Sequence, residues 1–290
     1  MENNEKLLIN GLAGRRELFG RLAVTGAKNS ILKGLAASLL FGDRLTLTAV
    51  PDILDVRHMI SLLADLGVGI DSVDDGYVLD PTNIGHSVIN PTMAKHLRAS
   101  VVLSGPLLAR TGQVTFPHPG GCVIGKRPID FFLEGFRLMG ATVEDCDSAY
   151  KLTAPGGKLK GAEIFFKVPS VTGTETFMMA AVLAEGETVL KNAALEPEII
   201  GLGEFLRQSG ARIYGLGTPT IRISGGGLLT GAGQPFRPIS DRIEAGSFII
   251  LSALCAKDVV VENINTDHLD ALLHALHLAG VKLEVTPTTV

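Results

Sequence analysis

Between His118 and Pro128 a cysteine stands behind a pair of glycines and ahead of a Lys-Arg pair, in the order His118-Pro119-Gly120-Gly121-Cys122-Val123-Ile124-Gly125-Lys126-Arg127-Pro128. A thiol does chemistry as the thiolate, or as an acid titrating near neutrality, and neighbouring cations push it that way. Gly120, Gly121 and Gly125 let the backbone come close to a ligand and let the loop move. The plainer reading is a surface loop with an incidental cysteine, since free cysteines are more often packed than reactive. A second set of polar residues recurs just before apolar helical stretches: Thr25-Gly26-Ala27-Lys28-Asn29, Lys95-His96-Leu97-Arg98, Thr172-Gly173-Thr174-Glu175 and Asp241-Arg242-Ile243-Glu244. Backbone donors at helix N-termini favour anions. A lysine there, Lys28, costs about 0.3–1 kcal/mol unless an anion offsets it, so Lys28 reads as an anion ligand in preference to an ordinary exposed lysine.

The elements that must position these residues repeat. Leu66-Gly67, Met139-Gly140, Ser209-Gly210 and Ala279-Gly280 each close an amphipathic helix, at spacings of 73, 70 and 70 residues. Each unit opens with a helix apolar on nearly all sides (Ser30 to Phe41, Ala99 to Ala109, Phe177 to Glu185, Ser247 to Ala256), which belongs in a core. A turn and a short strand follow, then the amphipathic helix with an acid near its start, a glycine at its end and a strand-like run beyond. The units predict an α+β repeat fold with buried inner helices and outer sheets. They are not nucleotide-binding βαβ units: Gly201-Leu202-Gly203 and Gly215-Leu216-Gly217 lack the strand-loop-helix setting, and Gly225 to Gly233 reads as a hairpin turn or linker. If the units pack about an axis, their inner-helix N-termini gather on one side, with Lys28 near Arg98.

Other features exclude more than they assign. A net charge of −4 without a basic stripe argues against a nucleic-acid partner. Three cysteines without metal-ligand spacing indicate neither a disulfide framework nor a zinc site, and suit a reducing cytoplasm. No signal-peptide pattern opens the sequence, and the longest apolar stretch is too short to span a bilayer, so a soluble protein without membrane association is expected. Glu196 and Glu198 could be paired acid/base carboxylates, but Glu-Pro-Glu also suits a helix start, which is the preferred reading. His118 lacks the setting of a Cys-His hydrolase. His274 and His277 share a helix face with no third ligand, so no metal is expected.

Five ordered motifs carry a resemblance: Gly26-Ala27-Lys28-Asn29, Leu97-Arg98-Ala99-Ser100, Pro119 to Asp130 around Cys122, Glu196-Pro197-Glu198 and Asp241 to Glu244. Together they resemble the UDP-N-acetylglucosamine 1-carboxyvinyltransferase family, from about Leu8 to the C-terminus. The cysteine loop separates that family from the shikimate-pathway enolpyruvyl transferases. The resemblance implies an inside-out repeat fold of six units in two domains, of which four are present here. A complete three-unit domain would cover 22–237, and 1–21 with 238–290 would form an incomplete second one. It implies transfer of the enolpyruvyl group of phosphoenolpyruvate to the 3-hydroxyl of UDP-N-acetylglucosamine, with no metal or organic cofactor, in peptidoglycan synthesis. Lys28 and Arg98 would neutralise phosphoenolpyruvate and Cys122 would act as general acid. Asn29 would contact substrate, Arg127, Pro128, Ile129, Asp130 and Phe131 would hold the uridine, and Lys167 would face the diphosphate with Ser170, Val171 and Gly173 nearby.

In the family the units beyond those present supply an aspartate proposed as base for the sugar hydroxyl, and no residue here replaces it. Absent or very weak turnover and exposed apolar surface on the last unit are therefore expected, the chain being either a fragment or completed by a C-terminal partner chain. The alternatives are a UDP-sugar-binding paralogue or fragment without turnover, and a purely structural repeat scaffold.

Overall fold

The computed structural model describes residues 8, 10, 11, 14, 18–118 and 129–290, so the cysteine loop, with Cys122, Arg127 and Pro128, lies outside the described residues. The chain divides into two compact units, one of residues 26–239 and one joining 1–25 to 240–290. Strand β1 (Leu18–Ala23) belongs to the second of these.

The 26–239 unit holds three turns of one pattern. The first runs α1 (Lys28–Ala37), β2 (Leu45–Leu47), α2 (Leu54–Asp65), β3 (Gly69–Val73) and β4 (Gly76–Asp80). The second follows a short helix α3 (Pro91–Ala94) and a 3-10 stretch (Arg98–Leu103), and runs α4 (Ser104–Thr111), β5 (Gln113–Pro117), α5 (Asp130–Leu138), β6 (Thr142–Cys146) and β7 (Ala149–Thr153). The third comprises β8 (Glu163–Phe165), α6 (Val171–Val182), β9 (Glu187–Lys191), α7 (Pro197–Gln208), β10 (Arg212–Tyr214) and β11 (Thr220–Ser224). Each turn makes its own sheet, in the orders β2-β4-β3, β5-β7-β6 and β10-β11-β9-β8. All pairings are antiparallel except β8 on β9.

The inner helices are buried as their composition predicts. Every residue from Ser30 to Ala37 and from Gly173 to Val182 is buried. The sheets lay Leu45, Leu79, Val114, Leu152, Leu190 and Ile221 on the same core. Such helices carry no polar face, so only a position enclosed by other elements keeps them from water. The second inner helix is broken: 3-10 backbone covers 98–103 and α-helix begins only at Ser104.

Each amphipathic helix ends as its glycine requires. Gly67, Gly140, Gly210 and Gly280 all have φ between 81° and 109°, the left-handed region. The residue after each glycine donates back across the last turn, Val68 to Leu63 and Val281 to Leu276 at 3.0 Å, and Ala141 to Phe136 and Ala211 to Leu206 at 2.9 Å.

In the other unit, α8 (Arg242–Cys255) leads into β12 (Ala256–Glu262), which pairs in parallel with β1, and α9 (Asp270–Leu278) follows. This fourth repeat leaves apolar surface exposed, as expected of the last unit, and departs from the sequence expectation only in lacking the strand after Gly280. Only Ala245, Gly246 and Ile249 of α8 are buried, and no residue of α9 is. No strand follows Gly280, because the runs after the other three glycines pair with a neighbouring strand and residues 281–285 have none beside them.

Candidate active site

Four helical starts of the 26–239 unit face one cavity of about 250 Å³. Asn29 and Lys33 reach it from α1, Arg98 from the 3-10 stretch, Ile129 and Phe131 from the start of α5, and Ser170 and Thr172 from the start of α6. The gathering of inner-helix N-termini follows from the repeat, since each unit presents the same end of the same element. A second cavity of about 470 Å³ adjoins it, sharing Phe131 and Ser170. Asp130, Glu134 and Lys167 line this second cavity together with apolar Leu138, Phe165 and Val168. An apolar wall beside a few charged groups is the usual form of a small-molecule pocket.

The local chemistry fixes these residues in place. Ser170 is the N-cap of α6, and its Oγ accepts from the Gly173 amide at 3.1 Å. A Cβ at Gly173 would stand 2.7 Å from the Phe131 ring, so glycine there lets α6 seat against the start of α5. Val171 is the first residue of α6 and packs against the core. Ile129 is the N-cap of α5 and Asp130 its first residue, with the Phe131 ring 4.2 Å from that of Phe132.

Lys28 stands at a helix start, as the sequence argument has it, and has a protein partner that the sequence does not reveal. It is the first residue of α1, but its Nζ lies 3.1 Å from Oδ2 of Asp55, in the first turn of α2. The anion that offsets a cation at this helix start is thus a side chain of the protein, and the dipole argument does not call for a bound ligand. Among the described residues lining the 250 Å³ cavity Lys28 does not appear, whereas Asn29 and Arg98 do.

The strongest electrostatic feature was not singled out from the sequence. Lys33 is buried in α1, and its Nζ lies 3.3 Å from Oε2 of Glu175 in α6, a carboxylate with no solvent exposure. Lys33 is the donor nearest the Glu175 oxygens, and its contact is long and poorly aligned. Burial pushes this carboxyl up to about 8, against the opposing pull of Lys33 and with the help of Glu198 and Glu196. Desolvation therefore outweighs the ion pair, and much of Glu175 stays protonated at neutral pH. The available signal was that Lys33 is the one charged residue between Ser30 and Phe41.

The remaining candidates occupy structural positions or have structural partners. Glu196 is the N-cap of α7, and Glu198 is buried in its first turn. Asp241 Oδ1 accepts from the amides of Ile243 and Glu244, and Glu244 accepts from the amide and hydroxyl of Thr25. His118 bonds Asp145 at 2.9 Å and lies against Tyr150. Among the described residues no group of three or more His, Cys, Asp or Glu side chains could hold a metal, and no helix is long and apolar enough to cross a membrane.

The EPSP synthase (3-phosphoshikimate 1-carboxyvinyltransferase) family matches residues 12–290. The chain belongs to that family. Among curated EPSP synthase-family relatives it is 43% identical over 279 residues to UDP-N-acetylglucosamine 1-carboxyvinyltransferase 2 of Carboxydothermus hydrogenoformans, covering 96% of this chain and 65% of the relative. It is 42% identical over 274 residues to UDP-N-acetylglucosamine 1-carboxyvinyltransferase of Idiomarina loihiensis, covering 94% and 65%. The chain thus spans just under two thirds of these relatives' length. The fold is that of the enolpyruvyl transferase NikO from Streptomyces tendae (TM-score 0.80, 20% identity, 95% of this chain and 65% of that one). EPSP synthase from Acinetobacter baumannii matches at TM-score 0.70 and 23% identity, covering 92% and 60%.

Proposed function

We propose that this chain carries the nucleotide-sugar half of a UDP-N-acetylglucosamine 1-carboxyvinyltransferase, an enzyme of the first committed step of peptidoglycan synthesis acting in the cytoplasm and so serving cell-wall growth and division. The observation that carries the reading is the pair of adjoining cavities at the α5 and α6 helix starts. Together they offer an apolar wall, then the α6 N-terminus, then Asn29 and Arg98. Uridine would lie against Phe131 and beside Asp130, Arg127 and Pro128, and the diphosphate would meet Lys167 and the first amides of α6, where backbone donors favour anions. The sugar would then point its 3-hydroxyl towards Asn29. Arg98 would grip phosphoenolpyruvate, its planar fork suiting phosphate or carboxylate.

In the reaction the sugar hydroxyl gives its proton to a base outside the described lining of the 250 Å³ cavity, its oxygen bonds to C2 of phosphoenolpyruvate and the methylene carbon gains a proton from Cys122, giving a tetrahedral ketal. Loss of phosphate, with return of a methyl proton to the Cys122 thiolate, then restores the double bond in the product. A thiol suits this exchange because its ordinary pKa, about 8.5, is within reach of operating pH. No carboxylate is among the described residues lining the 250 Å³ cavity, which favours a second reading for the 290-residue chain, binding without turnover. Titration with UDP-N-acetylglucosamine followed by phosphoenolpyruvate separates the outcomes. Saturable nucleotide-sugar binding supports the reading, its absence overturns it, and phosphate release at a rate dependent on both substrates distinguishes enzyme from binder.

A further inference from the structure

Lys33 is a cation that the proposed reaction leaves without a task. It stands one helical turn after Asn29, so both point to the same side of α1, and both line the 250 Å³ cavity with Arg98. A buried lysine ordinarily needs a carboxylate at hydrogen-bonding geometry. Glu175 is near, with Oε2 at 3.3 Å from the Lys33 Nζ, a long and poorly aligned contact. An ammonium has three N–H donors, so beside an open cavity it has bonding capacity beyond this one contact. Resting on the functional reading above, we infer that Lys33 is a second anion-binding cation of this site: a phosphate or carboxylate bound beside Arg98 draws the Lys33 ammonium away from Glu175, and Glu175 takes a proton from solvent as it loses its counter-charge.

The surroundings of Glu175 fit this exchange. Facing it are Lys33 from α1 and the carboxylates Glu198 and Glu196 from α7, which oppose its ionisation. Of the other elements packed on α6, α4 offers only Arg110, committed to the carbonyls of Phe41 and Pro81, and the 3-10 stretch offers only Arg98 at the same cavity. The charges of β9 and β11 pair on the exposed side, Lys191 with Glu163 and Arg222 with Glu187. With the carboxyl already raised to about 8, losing Lys33 needs little further proton affinity.

The test is calorimetric titration of the full 290-residue chain with inorganic phosphate and with phosphoenolpyruvate, at pH 8 in two buffers of different ionisation enthalpy. Lys33→Met should weaken both anions tenfold or more. Glu175→Gln should bind within threefold of the parent while losing the proton uptake that the parent shows. Lys33→Met binding within threefold of the parent overturns the inference, as does parent binding without proton uptake. If Lys33→Met does not fold, the double variant Lys33→Met/Glu175→Gln, which leaves no lone buried charge, is read by the same two limits. A parent that binds UDP-N-acetylglucosamine but neither anion overturns this inference alone. A parent that binds no nucleotide sugar sinks the functional reading instead.

Discussion

A carboxyl enclosed between helices and met by a single buried lysine resists ionisation where desolvation outweighs the pairing, and that resistance is measurable without any substrate. Folded, Glu175 keeps its proton up to about 8. Unfolded, a glutamate releases it near 4.3. Between these limits the folded state holds the extra proton, so this group's contribution to stability is full below about 4.3, falls as pH rises towards 8, and levels off above. Glu175→Gln removes the titration, and melting temperature plotted against pH should be flatter for the variant than for the parent between pH 5 and 8. Parallel curves would show that the carboxylate is ionised throughout. At Arg98 the expected effect is on ligand rather than fold. Lysine cannot reproduce a guanidinium fork, so Arg98→Lys should weaken phosphoenolpyruvate roughly tenfold, about 1.4 kcal/mol, with an unchanged melting curve. Equal affinity in a direct titration would remove Arg98 from the site.

Where α4 crosses α6 the backbones come close enough to exclude a side chain: a Cβ on Gly105 would stand 2.3 Å from the Thr176 carbonyl oxygen. Gly105→Ala must push two buried helices apart, and overpacking of this kind costs about 1–3 kcal/mol. Denaturant unfolding of the variant should show that loss, and an unchanged midpoint would mean the crossing is looser. At the start of α6 the Ser170 hydroxyl caps the Gly173 amide. Ser170→Ala should cost about 1 kcal/mol and weaken UDP-N-acetylglucosamine, whereas a drop in stability with unchanged binding would restrict Ser170 to capping. At this scale much was legible in the sequence. The terminal glycines located the amphipathic helices because left-handed φ excludes most other residues, and apolar composition located α1, α4 and α6. The break at 98–103 was not legible, since apolar residues fit a 3-10 turn and an α-helix equally well. The buried pair was missed for a related reason: a charge inside an apolar run gives no sign of whether its partner is water or another helix. At Lys28 the sequence locates the helix start correctly but does not show that Asp55 meets the lysine there.

The whole molecule treats two helices of similar composition in opposite ways. Helix α6 is buried from Gly173 to Val182, while α8 leaves Ile243, Ile250 and Leu254 exposed at 56%, 44% and 62%. Composition cannot tell them apart, because burial depends on which neighbours cover a helix, and repeats bury their faces against one another. The 26–239 unit has three repeats that share one continuous core, whereas among the described residues the core of the other unit comprises Val24, Ala245, Ile249, Val261, Ile264 and Leu269, with a partly buried fringe. Amides whose opening exposes little additional apolar surface exchange through local fluctuation. Residues 245–285 of the 290-residue chain should therefore exchange hydrogen well before those of α1 and α6. Leu254→Ser, at a side chain that is already mostly wet, should alter unfolding free energy by no more than about 0.5 kcal/mol. Met178→Ala, at a fully buried position of α6, should cost about 2–5 kcal/mol. Equal protection of the two units, with a Leu254→Ser penalty matching that of Met178→Ala, would mean that α8 is covered in solution. Adding in trans the remaining third of a full-length relative should slow exchange in α8 while leaving α6 unchanged, because only the exposed face has surface left to bury.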